Sequence, residues 1–137
     1  TGLSYGFRSK GDTFKDKDII VLDTMGELGK MYSICSFAFI GGSFNNTGGH
    51  NPLEATVYSK PTITGPSIHN FRDIYWLLSQ SHAGKIVKTP EEMSDYIEKL
   101  LSDNEFYQQA CKDCETIFNE QQGALDVVIE ELKQVLD

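Results

Sequence analysis

The sequence predicts an α/β fold: a Rossmann-like parallel sheet with helices on both faces, followed by a helical C-terminal tail. Three observations carry that prediction. Short apolar, often β-branched runs alternate with helical patterns through the first 89 residues, the spacing of a parallel sheet built from strand–helix units. Eleven of the 12 glycines lie before position 90. Charge divides at the same place: residues 1–89 hold 9 basic and 7 acidic residues, whereas residues 90–137 hold 3 basic and 13 acidic. The length suits one domain with a real core over 1–137, with the sheet part at 1–89 and the helical tail at 90–137.

Each element has its own signal. Residues 3–9 read as a first strand, turned by Gly11-Asp12. Asp18-Ile19-Ile20-Val21-Leu22-Asp23 has polar ends around a β-branched centre, the form of a strand buried on both faces. Thr24-Met25-Gly26-Glu27 matches a capping box, and Leu28, Met31, Tyr32 and Cys35 follow at helical spacing. Phe37-Ala38-Phe39-Ile40 is a third strand, ending in Gly41-Gly42. Asn51-Pro52-Leu53-Glu54 offers an N-cap, a proline at the first helical position and a glutamate at the third. Pro61-Thr62-Ile63-Thr64 is a fourth strand, ending in Gly65-Pro66. A helix opening at Asn70-Phe71-Arg72-Asp73 carries Ile74, Leu77 and Leu78, and Lys85-Ile86-Val87-Lys88 is the fifth strand.

The tail is helical throughout. Thr89-Pro90-Glu91-Glu92 starts a helix whose stripe is Met93, Tyr96, Ile97, Leu100 and Leu101. Ser102-Asp103-Asn104-Glu105 starts the next, with Phe106, Ala110 and Ile117 on one face. Gly123 is expected to break it, leaving a last amphipathic helix on Leu125, Val128, Ile129, Leu132, Val135 and Leu136. Most acidic residues lie off these stripes, as a solvated outer face.

Composition excludes several functions. A net charge of −8 repels phosphates and argues against nucleic-acid binding through a basic face. No apolar run approaches the roughly 20 residues of a membrane span. The opening Thr1-Gly2-Leu3-Ser4-Tyr5 has no signal-peptide pattern and no initiator Met, and reads as a fragment. Cys35, Cys111 and Cys114 make an odd count, against a disulfide framework and in favour of a cytosolic compartment. The C-x-x-C pair 111/114 sits inside a helical pattern and reads as ordinary helix cysteines. Apart from that helical pair no two His or Cys have zinc spacing, so no metal is expected, nor any cofactor.

Ligands of open α/β sheets bind beyond the carboxyl ends of the strands. The unusual residues gather there: Asp23-Thr24-Met25-Gly26-Glu27, then residues 41–52 (GGSFNNTGGHNP), then Gly65-Pro66-Ser67-Ile68-His69-Asn70-Phe71. The middle loop is the most informative. Its paired glycines let backbone approach a ligand, and it leads into a helix start whose N–H groups suit a phosphate. It matches neither the Walker loop nor G-x-G-x-x-G. Glu27 and Glu54 both read as third-position caps, and Glu54 has a second reading as a carboxylate holding two ribose hydroxyls. His50 reads equally as a loop hydrogen-bond partner, a phosphate contact or an acid/base.

Together, Asp23-Thr24-Met25-Gly26-Glu27-Leu28, Phe39-Ile40-Gly41-Gly42-Ser43, Gly48-Gly49-His50-Asn51-Pro52-Leu53-Glu54, and Gly65-Pro66 with Asn70-Phe71 resemble one family. It is the 3-deoxy-D-manno-octulosonic acid (Kdo) transferases, in their C-terminal domain, over nearly the whole chain. The coarser arrangement is shared by GT-B glycosyltransferases. The resemblance implies a donor-binding domain for CMP-Kdo, in an inverting, metal-independent enzyme of lipopolysaccharide synthesis at the cytoplasmic face of the bacterial inner membrane. The acceptor, a lipid A precursor, and the general base would belong to an N-terminal domain, leaving this chain inactive alone. By the same resemblance Gly42, Ser43, Gly49, His50 and Asn51 would hold the CMP phosphate. Glu54 would hold the ribose, and Met25, Gly26 and Glu27 would lie at the base and ribose. One departure stands out: the family's first C-terminal strand ends in Pro-Arg-His-Pro, a string absent here, and residues 3–9 look like its second strand. A sheet lacking a central strand is the consequence to expect. The alternatives are another GT-B enzyme using a UDP-sugar, or a flavodoxin-like or receiver-like interaction domain. The second expects acidic clusters or flavin loops at the strand ends, where this sequence has Gly, Asn and His.

Overall fold

The computed structural model describes the backbone of residues 2–136, and the side chains of residues 2–124 and 126. Five short strands appear in the expected order: β1 (Tyr5–Phe7), β2 (Ile19–Val21), β3 (Ala38–Ile40), β4 (Thr62–Thr64) and β5 (Gly84–Ile86). The helices are α1 (Leu28–Ile34), α2 (Leu53–Thr56), α3 (Arg72–Ser79), α4 (Pro90–Ser102) and α5 (Asn104–Leu136), and one 3-10 turn spans Arg8–Lys10. Every strand pairing is parallel; helices lie in the connections from β3 to β4 and from β4 to β5, whereas residues 8–18 join β1 to β2 with only the 3-10 turn.

The sheet is divided. β1 pairs with β2, and β3, β4 and β5 form a second sheet in that order. Doubly wound sheets place a central strand where the order reverses. Among the described residues no strand joins the two sheets.

The two sheets differ in burial. β4 sits between β3 and β5 and is buried at all three positions. Ala38, Ile40, Ala55 and Tyr75 form a core on one face; Ile63, Val87, Leu100 and Ala110 form another. A third cluster, Leu78, Ala83, Cys114 and Ile117, fixes α3 and β5 to α5. In contrast, Ile19 and Val21 of β2 are exposed, which corrects the expectation of a strand buried on both faces. Tyr5, Ile19 and Val21, on one side of β1–β2, are all exposed.

The start of α4 follows the sequence closely: the Thr89 hydroxyl accepts the Glu92 N–H at 3.2 Å, with Pro90 in the first turn. Leu101, placed on the α4 stripe by periodicity, is exposed instead. The expected break at Gly123 does not occur, because α5 continues through it. One solvent-exposed glycine costs a helix only about 1 kcal/mol relative to alanine, less than ending and renucleating it. The Leu125, Val128, Ile129, Leu132, Val135 and Leu136 stripe lies outside the described side chains.

Candidate functional site

A cavity of about 620 Å³ opens beyond the carboxyl end of β3, lined among others by Tyr32, Gly41, Gly49, His50, Asn51 and Glu54. Its floor is the 41–52 loop, folded by its own backbone: Gly49 N–H donates to the Gly42 carbonyl at 3.0 Å and His50 N–H to that of Gly41 at 3.3 Å. Such a close return needs left-handed backbone, and Gly48 and Gly49 supply it at φ +90° and +77°. Space demands glycine there too, since a Cβ on Gly48 would lie 2.5 Å from the His69 ring.

Neighbouring elements bolt the loop down. Ser43 is buried; its hydroxyl donates to the Ile40 carbonyl and accepts the Gly65 N–H, both at 2.8 Å. The Asn70 side-chain amide donates to the Thr47 carbonyl at 2.7 Å, and its backbone N–H to that of Gly48. The Tyr75 phenol donates to the His50 carbonyl at 2.6 Å. Asn51 accepts the Leu53 N–H at 3.0 Å, acting as the cap expected for the following helix. That helix, α2, is a single turn of four residues, so its dipole adds little; the loop amides are the anion-binding element. Among the described residues, the N–H groups of Gly42 and Asn51 donate to no protein acceptor.

The structure brings Gly49, His50, Asn51 and Glu54 into one cavity, with Gly42 adjacent in the loop. Glu54 is exposed and makes no cap bond, which leaves its carboxylate free to face the cavity. Ser43 lies beneath the loop, its hydroxyl spent on the scaffold. Met25, Gly26 and Glu27 stand apart from the cavity lining. Met25 is 97% exposed, and Gly26 turns the chain at φ +79°. The expected capping box is replaced: α1 begins only at Leu28, without a side-chain cap. Instead the Thr24 hydroxyl donates to the Glu27 carboxylate, which also pairs with Arg8 at 3.2 Å. The Thr24 hydroxyl and, less strongly, Arg8 hold the Glu27 carboxyl below its ordinary value.

Two residues of the site, Tyr32 and Tyr75, have no functional signal in the sequence, and a third, Asn70, takes a role that its motif does not specify. Tyr32 is visible there only as part of an apolar stripe; in the structure burial pushes its phenol up, and the Glu54 carboxylate adds to the rise. Asn70 looks like a helix start, yet it braces the loop. Tyr75 carries no sequence signal, since its partner is a backbone carbonyl.

Other features read as scaffold. Cys114 is buried against α3 and β5, and burial pushes its thiol up to about 12. Among the described residues no three His, Cys, Asp or Glu side chains form a metal-binding group. No described helix is long and apolar enough to cross a membrane.

The sequence and the fold have counterparts. The chain is 33% identical over 124 residues to a 3-deoxy-D-manno-octulosonic acid transferase of Haemophilus influenzae, covering 90% of this chain and 29% of that protein. It is 36% identical over 98 residues to the transferase of that name from Aquifex aeolicus, covering 72% of this chain and 28% of the relative. The crystal structure of the C-terminal CMP-Kdo binding domain of WaaA from Acinetobacter baumannii superposes with a TM-score of 0.77 at 30% identity, over 84% of this chain and 61% of that one. The chain is a homologue of the Kdo transferases. Its structural match lies in their C-terminal domain, as the loop motif implied. No family model matches the chain. This Kdo-transferase homologue therefore spans less than a third of the length of those two curated relatives.

Proposed function

We propose that this chain is the donor-binding domain, over 1–137, of a Kdo transferase that moves Kdo from CMP-Kdo to a lipid A precursor. The observation that carries the reading is the cavity above the 41–52 loop. There the free Asn51 N–H, the His50 side chain and a Glu54 carboxylate without a partner among the described residues surround one space large enough for a mononucleotide, with the Gly42 N–H adjacent in the loop. In this reading the Gly42 and Asn51 N–H groups receive the phosphate. Gly49 shapes the turn, His50 contacts a phosphate oxygen, and Ser43 holds the loop from below. Glu54 accepts hydrogen bonds from the ribose hydroxyls.

Transfer is inverting and metal-independent. An acceptor hydroxyl attacks the anomeric carbon, its proton passes to a general base outside this chain, and CMP leaves with the electrons of the broken bond. Donors aimed at the leaving phosphate stabilise the charge that develops on it. Met25, Gly26 and Glu27, at the carboxyl end of β2, would approach the nucleoside from the opposite side. The parent enzyme would work at the cytoplasmic face of the inner membrane, and the chain alone would bind donor without turnover.

Glu54→Ala tests the ribose contact. The reading predicts at least a tenfold loss of CMP affinity by calorimetry, about 1.4 kcal/mol, with the melting temperature held. A loss of thermal stability with CMP affinity intact would make Glu54 a helix-start residue only.

A further inference from the structure

We propose that Tyr75 is a positioning residue for this site: by holding the His50 carbonyl it aims the Asn51 N–H at the ligand. The inference rests on the nucleotide reading above and adds a residue to it. A peptide bond is planar and trans, so the carbonyl of residue 50 and the N–H of residue 51 point in opposite directions from one rigid unit. No peptide in the described chain is cis. The Tyr75 phenol takes the His50 carbonyl at 2.6 Å on the protein side, and Asn51 lines the cavity on the other. The Asn51 N–H donates to no protein group among the described residues.

Tyr75 is well built for this task. Its ring is 2% exposed, packed with Ala38, Ile40 and Ala55, so the oxygen is delivered from a fixed place. Gly49 leaves the phenol room to reach the loop, as a Cβ there would lie 3.2 Å from the Tyr75 oxygen. The preceding N–H, that of His50, is bonded to Gly41, so the units on both sides of this residue are held. A donor on the carbonyl also polarises the same peptide, which strengthens its N–H as a donor to an anion.

The test is Tyr75→Phe, which keeps the ring and removes only the oxygen. Amide resonances and hydrogen exchange are followed in the free chain, and CMP is titrated by calorimetry. The expected result has three parts. The Asn51 amide proton moves upfield in the free protein, exchange at Gly49 and His50 speeds at least fivefold, and CMP affinity falls about tenfold. Exchange at Ile63 and Val87, in the second core, stays unchanged. An unmoved Asn51 amide, or loss of core protection equal to that of the loop, overturns the proposal. Failure of the wild-type chain to bind CMP would count against the nucleotide reading, while the Asn51 amide in the free protein would still decide the role of Tyr75.

Discussion

The β1–β2–α1 region and the β3–β4–β5 region share an architecture and differ in what holds them. Every buried hydrophobic side chain of the core clusters lies between Ala38 and Ile117. In the first region α1 buries no residue, and Ile19, Val21, Leu28 and Ile34 are exposed. Carboxylates do the joining there: Asp18 accepts from the Ser4 N–H and hydroxyl at 2.8 and 2.7 Å, Asp23 from the Ser9 N–H and hydroxyl at 2.8 and 2.6 Å, and Glu27 pairs with Arg8. Parallel strands need cover on both faces; the second sheet carries buried clusters on both, and among the described residues no such cluster includes the first. The site follows the same division, since the cavity is floored by the packed region and only rimmed by α1.

Deleting core volume should break this comparison most sharply. Leu78, 1% exposed, should cost about 2–5 kcal/mol when changed to Ala, whereas Leu28→Ala on half-exposed α1 should cost about 1 kcal/mol or less. Equal losses in urea denaturation would mean that the two regions are packed alike.

Acid should separate the regions next. The Ser4 and Ser9 hydrogen bonds hold Asp18 and Asp23 below their ordinary value of 3.8, and the Thr24 hydroxyl holds Glu27 below 4.5. A depressed folded value contributes stability that is complete above the unfolded value and lost as pH falls through the folded one. Protection of the β1–β2 amides should therefore fade as pH drops below 3.8, while the Ile63 amide persists. Simultaneous loss of both sheets would show that the first region unfolds only with the second.

The smallest effect belongs to the tail. Gly123 is helical, and a Cβ there meets nothing within 4 Å. Gly123→Ala should stabilise α5 by about 1 kcal/mol, read as slower amide exchange around residue 123 with the β1–β2 amides unmoved. Faster exchange would restore the helix break expected from the sequence.

What the sequence reveals tracks how local each determinant is. Thr89, Pro90 and Glu92 announce α4 because a cap is a contact over three residues. The buried run of β4 is legible because it is apolar or hydroxylated throughout. The loop stands out because Gly48 and Gly49 meet a backbone demand that few other residues meet. The exposure of β2 is not legible, since it depends on what covers the sheet rather than on β2 itself. Glu27 misleads as a cap because its carboxylate is taken by the Thr24 hydroxyl and by Arg8, the latter 19 residues away. The brace from Tyr75 to His50 spans 25 residues and ends on a carbonyl, which no side-chain pattern records.

The acidic tail acquires a place in this picture. α4 and α5 pack against the second sheet and α3, supplying Leu100, Ala110, Cys114 and Ile117 to its cores. Asp113 ties the tail to the turn before β5: burial opposes its ionisation, but the His82 N–H, the Gln109 amide and the His82 ring hold its carboxyl below the ordinary value. The cavity residues all belong to the near-neutral first 89 positions.

The central claim is that a cytidine monophosphate occupies the cavity above the 41–52 loop. Titration of the chain with CMP and, separately, UDP, followed by backbone amide shifts, tests it most directly. The account predicts saturable shifts at Gly42, His50 and Asn51 with CMP, weaker ones with UDP, and none at Gly84 or Lys99, which line a separate cavity at the start of β5. Shifts that favour UDP, or CMP shifts that leave the loop unmoved, would contradict it.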